Sequence, residues 1–414
     1  MKVSKQETRL WNKNFIKFMI AYESLYFGYF TMAFVIPLYI LTKTGNPSAM
    51  AFAIAFAGMP RIFVGLISGV VADRYNKRKI LFFGYIFTAI CILIYLLTLD
   101  MLPVIPAATA IILILMAVDA FLMPSLEGSI PSLVPEGSMQ KATSAISSIS
   151  ISSMIAAPLL AGFIFERHGI TFVLITAASL YGVSTLFALL YKFPYTKQKH
   201  DHDLLHSVIP DMKSAITYTV KEDRTFLKIM IMFFFVGASI FPMFTVGFMA
   251  IAYAHVGISH SFLGTAMGIG QLGGVIGPII TYALGKRVHI GRARPFFFIA
   301  ALAIASMGFA LMYTTGHIQI ILFVVLFFII HLAFGAIGPI IWAYFGENSP
   351  PEMVGKIMSL VMTFMFLGYS IGEFLWGQLL AIFAQTPWIA LFVIAGLSTL
   401  VSLFSKIKLE PNKK

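Results

Sequence analysis

The sequence predicts an all-α membrane protein with twelve transmembrane helices in two pseudo-symmetric six-helix bundles. Three observations lead there. The first is composition: of 414 residues, 59% are hydrophobic and 11% charged, with a mean hydropathy of +0.90. Soluble domains carry roughly 25% charged residues. The second is a recurrence of apolar runs of about 20 residues or more, each able to cross ~30 Å of hydrocarbon. The third is the placement of the cations. Of 29 Lys and Arg, all but Lys43, Arg167 and Arg61 fall in the tails and alternate loops of one side. That asymmetry puts both termini in the cytoplasm of a multi-pass protein of the inner cell membrane. The formal charge of +12 is thus a topology signal, with contact to anionic headgroups as a second effect, and not a nucleic-acid footprint. The composition and the apolar runs exclude a soluble enzyme and a secreted disulfide scaffold as well, and the lone Cys91 can form no internal disulfide.

The spans follow in order. A basic tail, residues 1–17, precedes a run too long for a signal-peptide core and lacking a small-residue cleavage site, so 14–41 reads as an uncleaved first helix. Further apolar runs predict spans over 49–72, 79–99, 104–127, 143–165 and 170–191. The long polar loop 193–225 then divides the chain, and 204–218 or 218–226 would make a short amphipathic helix on the cytoplasmic face. Six more spans are expected over 226–254, 261–284, 295–314, 318–342, 357–383 and 387–405. The expected domains are therefore 1–192, the linker 193–225, and 226–414. The halves echo one another. Ser144 precedes Pro158 by the same spacing as Ser359 precedes Glu373, and Gly58 and Gly65 match Gly270 and Gly277. Two repeated six-helix halves point to a transporter with its site near the bilayer midplane.

The loop between spans 2 and 3 runs Gly69-Val-Val-Ala-Asp73-Arg74-Tyr-Asn76-Lys77-Arg78-Lys79. It resembles the major facilitator superfamily's glycine–x–leucine–alanine–aspartate–arginine–x–glycine–arginine–lysine. Gly69 permits close helix approach, and the cations anchor the turn to headgroups. Asn76 replaces the turn glycine, and is expected there as a residue tolerant of left-handed backbone. The resemblance implies the major facilitator fold and a cytoplasmic latch formed by Gly69, Asp73, Arg74, Lys77 and Arg78, joined by Glu127. The second half keeps cations at Lys286, Arg287, Arg292 and Arg294 but lacks the aspartate. Span 5 carries Ser153-x-x-x-Ala157-Pro158-x-x-Ala161-Gly162, similar to the family's antiporter motif with small residues for glycines. Ala157, Pro158 and Gly162 are thus expected at a helix contact. Residues 133–143 resemble the drug, macrolide and siderophore exporter branch, whose members are proton antiporters.

Ionisable groups inside spans are costly, about 2.5–3.5 kcal/mol at a helix centre, and so mark candidate sites. Glu373 is mid-span among Gly368, Gly372 and Gly377, a setting in which a carboxyl group can load and release protons. Asp119 and Arg61 lie near mid-bilayer in the first half, either as a buried ion pair or with Asp119 facing substrate. Glu23 sits beside Tyr22, Tyr26 and Tyr29. It serves either in coupling or as a carboxylate bonded to tyrosine or water. His331 is a proton relay for Glu373 or a hydrogen-bonded packing residue. The His200–His206 cluster reads as solvated linker, and no metal, cofactor, nucleotide or catalytic pattern is present.

The expectation is therefore a monomeric, proton-coupled secondary transporter, not an enzyme. Its partners are protons, the lipid bilayer and a small amphipathic substrate such as a drug, an antibiotic or a siderophore-like metabolite, carried outward. One alternative is an uptake symporter for a metabolite or metal ion. Another is a non-transporting membrane enzyme or sensor.

Overall fold

The structure is a computed structural model that describes residues 10–135, 137–191, 216–222, 224–287, 293–349 and 354–404. The described residues form helices and their connections. They are α1 (Lys13–Thr44), α2 (Pro47–Arg74), α3 (Lys77–Leu97), α4 (Val104–Glu127), α5 (Met139–Leu190), α6 (Arg224–Ser239), α7 (Val246–Ala254), α8 (His260–Leu284), α9 (Arg294–Tyr313), α10 (Gly316–Asn348), α11 (Val354–Ile382) and α12 (Pro387–Phe404).

Nine described helical stretches are long and apolar enough to cross a membrane. The 52-residue α5 is double-length, because Gly169 (φ 76°, ψ −176°) leaves the helix between its two arms. Only glycine takes that backbone without strain, so one position turns predicted spans 5 and 6 back on each other. Shorter apolar helices begin at Pro47 and Pro387, and with them the twelve predicted crossings are accounted for. Outward faces are apolar: Phe83 is 61% exposed, Phe87 50% and Ile94 54%. Such faces suit hydrocarbon and no aqueous surface.

Two compact units emerge, one holding Met1–Tyr39 with Ala57–Leu205, the other Ile40–Phe56 with His206–Lys414. In the first, α3 packs against α4 and α5. In the second, α6 packs along α11, α8 along α10, and α9 along α12. The hairpin 40–56 belongs to the second unit, where the Ser48 hydroxyl donates to the Gly377 carbonyl at 2.8 Å.

Three local expectations need correction. Predicted span 7 is not one helix. α6 ends at Ser239, a 3-10 turn covers Phe241–Phe244, and α7 starts at Val246. Pro242 has no N–H to continue the ladder. Asn76 does not adopt left-handed backbone; at φ −65° and ψ 107° it is the N-cap of α3, its side chain accepting from the Arg78 and Lys79 amides. The asparagine satisfies orphan donors at the helix start, a task a glycine cannot perform. At the end of the long loop, Tyr218–Glu222 is a π turn leading to α6, while 204–215 lies outside the described residues.

Candidate functional site

Among the described residues the most buried acid is Glu373, which is 0% exposed on α11. Its neighbours come from the break between α6 and α7. Thr245, whose backbone (φ −126°, ψ −95°) fits neither helix nor strand, donates its hydroxyl to Glu373 Oε1 in a short hydrogen bond. The Tyr369 hydroxyl and the Val246 amide also interact with this carboxylate, while Oε2 has no hydrogen-bond partner. One turn further along α11, the fully buried Trp376 donates from Nε1 to the Ser239 carbonyl at 3.0 Å. Ser239 ends α6, so α11 holds both edges of the break.

Glycine explains why α11 comes so close. A Cβ at Gly368 would strike the Phe234 carbonyl, and one at Gly372 the Ala238 carbonyl. Backbone therefore meets backbone along α6 and α11, as in small-residue helix contacts within membranes. The glycines expected merely to flank Glu373 are what press its helix against the break.

His331 of α10 is 5% exposed. Its Nδ1 lies 3.0 Å from the Phe327 carbonyl, and Nε2 has no partner. Phe244, the residue before Thr245, covers the imidazole with ring centroids 4.2 Å apart. His331 and Glu373 thus touch consecutive residues of one turn, and each makes its own hydrogen bond.

A second cluster lies in the first unit, on α1, α4 and α5. Ser153 donates to Glu23 Oε1 at 3.0 Å, and Glu23 Oε2 has no partner. The Tyr22 hydroxyl is 3.0 Å from Ser150 Oγ, and Tyr26 donates to the Met123 sulfur at 2.9 Å. Tyr22 and Tyr26 stack with centroids 4.5 Å apart. Asp119, 8% exposed, sits one turn before Met123 on α4. The arm of α5 that supplies Ser150 and Ser153 also buries Ala157, Pro158 and Gly162. Arg61 lies on α2, its side chain outside the described set.

The predicted latch is described in part. Lys77 Nζ donates to the Gly128 carbonyl at 2.8 Å, just past the exposed Glu127. Arg78 spans the end of α5, giving Nε to Ala188 O at 2.9 Å and Nη2 to Leu189 O at 2.5 Å. Arg74 ends α2, and the surroundings of Gly69 and the side chain of Asp73 are outside the described set. Here the basic residues satisfy orphan carbonyls at helix C-termini, where a cation also meets the negative end of the helix dipole. The His200–His206 cluster lies outside the described residues. Among those that are described, no group of three or more His, Cys, Asp or Glu could hold a metal ion.

Sequence reasoning missed Thr245 and Trp376, and it placed Ser153 in the span-5 motif without finding its bond to Glu23. Threonine and serine abound in these helices and mostly bond their own turn, as Thr109 does to Ile105. The one available signal was Pro242 inside an apolar run.

A family model for the Major Facilitator Superfamily matches residues 18–373. The chain belongs to the Major Facilitator Superfamily. It is 27% identical over 185 residues to the uncharacterized MFS-type transporter YfiS of Bacillus subtilis (strain 168), a match covering 44% of this chain and 41% of that relative's length. It is 23% identical over 341 residues to macrolide efflux protein A of Streptococcus pyogenes, covering 81% of each. Among solved structures, the nucleoside transporter NupG superposes with a TM-score of 0.71 at 15% identity, over 94% of this chain and 98% of that one. A major facilitator protein is a multi-pass membrane transporter of small molecules and not an enzyme, so the membrane enzyme or sensor is set aside.

Proposed function

We propose that this transporter exports a small amphipathic molecule in exchange for protons, by alternating access about a central site. The observation that carries the coupling is Glu373, a fully buried carboxylate at the break of a membrane-crossing helix. Its neighbours favour a proton over a metal ion as its cargo. One carboxyl group suffices for a proton, whereas a metal ion needs several ligands, and among the described residues no group of three or more His, Cys, Asp or Glu could hold one. The uptake symporter for a metal ion is the weaker reading for that reason.

Support for export and for an amphipathic cargo comes from two sides. The similarity to macrolide efflux protein A extends over 81% of both chains. The α1–α4–α5 cluster offers stacked tyrosines, a thioether and the carboxylates of Glu23 and Asp119, which together suit a cargo with apolar and polar faces. In this scheme Glu373 carries the proton, Asp119 and Glu23 meet the cargo, and His331 is a packing residue held by Phe327 and Phe244. The Arg74, Lys77 and Arg78 segment sets the balance of states from the cytoplasmic side, with both termini on that side of the inner membrane.

The test is proteoliposomes loaded with a pH-sensitive dye under an imposed pH gradient, with a radiolabelled macrolide as the probe. Glu373→Gln should abolish gradient-driven macrolide movement while leaving exchange without a gradient largely intact. Undiminished gradient-driven movement by that variant would remove Glu373 from the mechanism.

A further inference from the structure

The Thr245 hydroxyl has one hydrogen and two acceptors within reach. Besides Glu373 Oε1, the Pro242 carbonyl lies 3.3 Å from Oγ1. The Thr245 amide reaches that same carbonyl at 3.3 Å. In an unbroken helix the Pro242 carbonyl would take the amide four residues on; here it closes the 3-10 turn instead.

We propose that Thr245 is a positioning residue, a two-way hydrogen-bond switch that passes the protonation state of Glu373 to the break between α6 and α7. The inference rests on the reading of Glu373 as the proton carrier. When the carboxylate is ionised, the Thr245 hydroxyl donates to Oε1, as in this structure. When a proton arrives, it bonds to Oε1, the new O–H donates to Thr245 Oγ1, and the threonine hydrogen turns to the Pro242 carbonyl. One proton is gained, no other covalent bond changes, and every donor keeps an acceptor. Oε1 is the oxygen already held by the Thr245 hydroxyl, whereas Oε2 has no hydrogen-bond partner.

The mechanical consequence follows from where the Pro242 carbonyl sits. A stronger bond to it tightens the Pro242–Thr245 turn, while Trp376 keeps hold of Ser239 on the other edge. Gly247 lies beneath the Trp376 ring, so the start of α7 also bears on that clamp. A proton on α11 is thereby converted into a change of angle between two helix segments, the kind of hinge that mid-helix 3-10 stretches provide.

Few charges compete with this bond. Among the described residues facing Glu373, Tyr369 is the titratable group on α11 itself. His331 of α10 lies behind Phe244. The 3-10 turn and the facing stretches of α6, α7 and α12 supply none, Lys228 and Tyr253 standing at the far ends of α6 and α7.

The test needs no substrate. Infrared spectra of the purified, reconstituted protein are recorded through a pH titration, with Glu373→Gln identifying the carboxyl band of Glu373. In wild type that band should sit where a hydrogen-bond-donating carboxyl absorbs, and Thr245→Ser should keep both its position and its pH midpoint. Thr245→Val, which keeps shape and loses the hydroxyl, should move the band toward a free carboxyl and shift the midpoint by about one pH unit, roughly one charged hydrogen bond. A valine variant indistinguishable from wild type overturns the switch while leaving Glu373 as the carrier. If no band differs between wild type and Glu373→Gln across the titration, the reading of Glu373 itself falls. Should the valine variant fail to fold, the wild-type band still decides: a free-carboxyl position overturns the proposal.

Discussion

Polar side chains in this protein sort by whether their hydrogen bonds close. Thr109, Thr176 and Ser239 bond their own helix four residues back and carry no further consequence. Glu23, Glu373 and His331 each keep a buried atom with no hydrogen-bond partner. Outside the spans, His255 offers a cleaner measurement. Burial pushes its imidazole below the ordinary value of 6.5, because the charged form is the one that loses water. Below that pH the unfolded chain binds more protons than the folded one, so stability falls as the pH falls through the window. Between about pH 7.5 and pH 5, wild type should therefore lose ~1–2 °C more in Tm than His255→Gln. Parallel melting curves for the two proteins would show that His255 contributes nothing to the pH dependence.

At the scale of elements, caps and breaks matter more than the apolar runs between them. α3 begins at Asn76 because its side chain takes two orphan amides, and the cations that follow reach back to carbonyls ending α4 and α5. Asn76→Ala should cost about 1 kcal/mol in thermal unfolding, whereas Asn76→Asp, which keeps the accepting oxygen, should cost little. If alanine and aspartate behave alike, the cap is not what holds this turn. Element existence was legible because hydropathy integrates over about 20 residues. The break at 240–245 was not, since an apolar run reads the same whether its backbone is continuous or kinked. Glu373 was found from its cost in hydrocarbon. Its partner Thr245 was not, because a hydroxyl in a membrane helix usually bonds its own turn and nothing in its identity says otherwise.

At the scale of the whole molecule, large apolar side chains among the described residues are exposed as well as buried, and two acids, Asp119 and Glu373, lie among the buried groups. Ile90, 48% exposed on α3, is one of the exposed apolar side chains. Ile90→Asp should lower the yield of membrane-inserted protein, with a cost of about 2.5–3.5 kcal/mol, while Ile90→Leu should be neutral. Equal yields would mean that this face does not meet lipid.

The sequence by itself determined that the chain is an all-helical multi-pass membrane protein with twelve apolar spans, and which acids fall within those spans. Each of these follows from the transfer cost of a side chain or a peptide group, a property residues carry wherever they are placed. Only the tertiary structure decided what those acids touch. The Thr245–Glu373 bond joins residues on helices far apart in the chain. It depends on glycines that let α6 and α11 meet backbone to backbone, and on the 3-10 turn that brings the Pro242 carbonyl within reach of the Thr245 hydroxyl. Hydrogen bonding is short-ranged and directional, so it is settled by packing and cannot be read from composition or spacing.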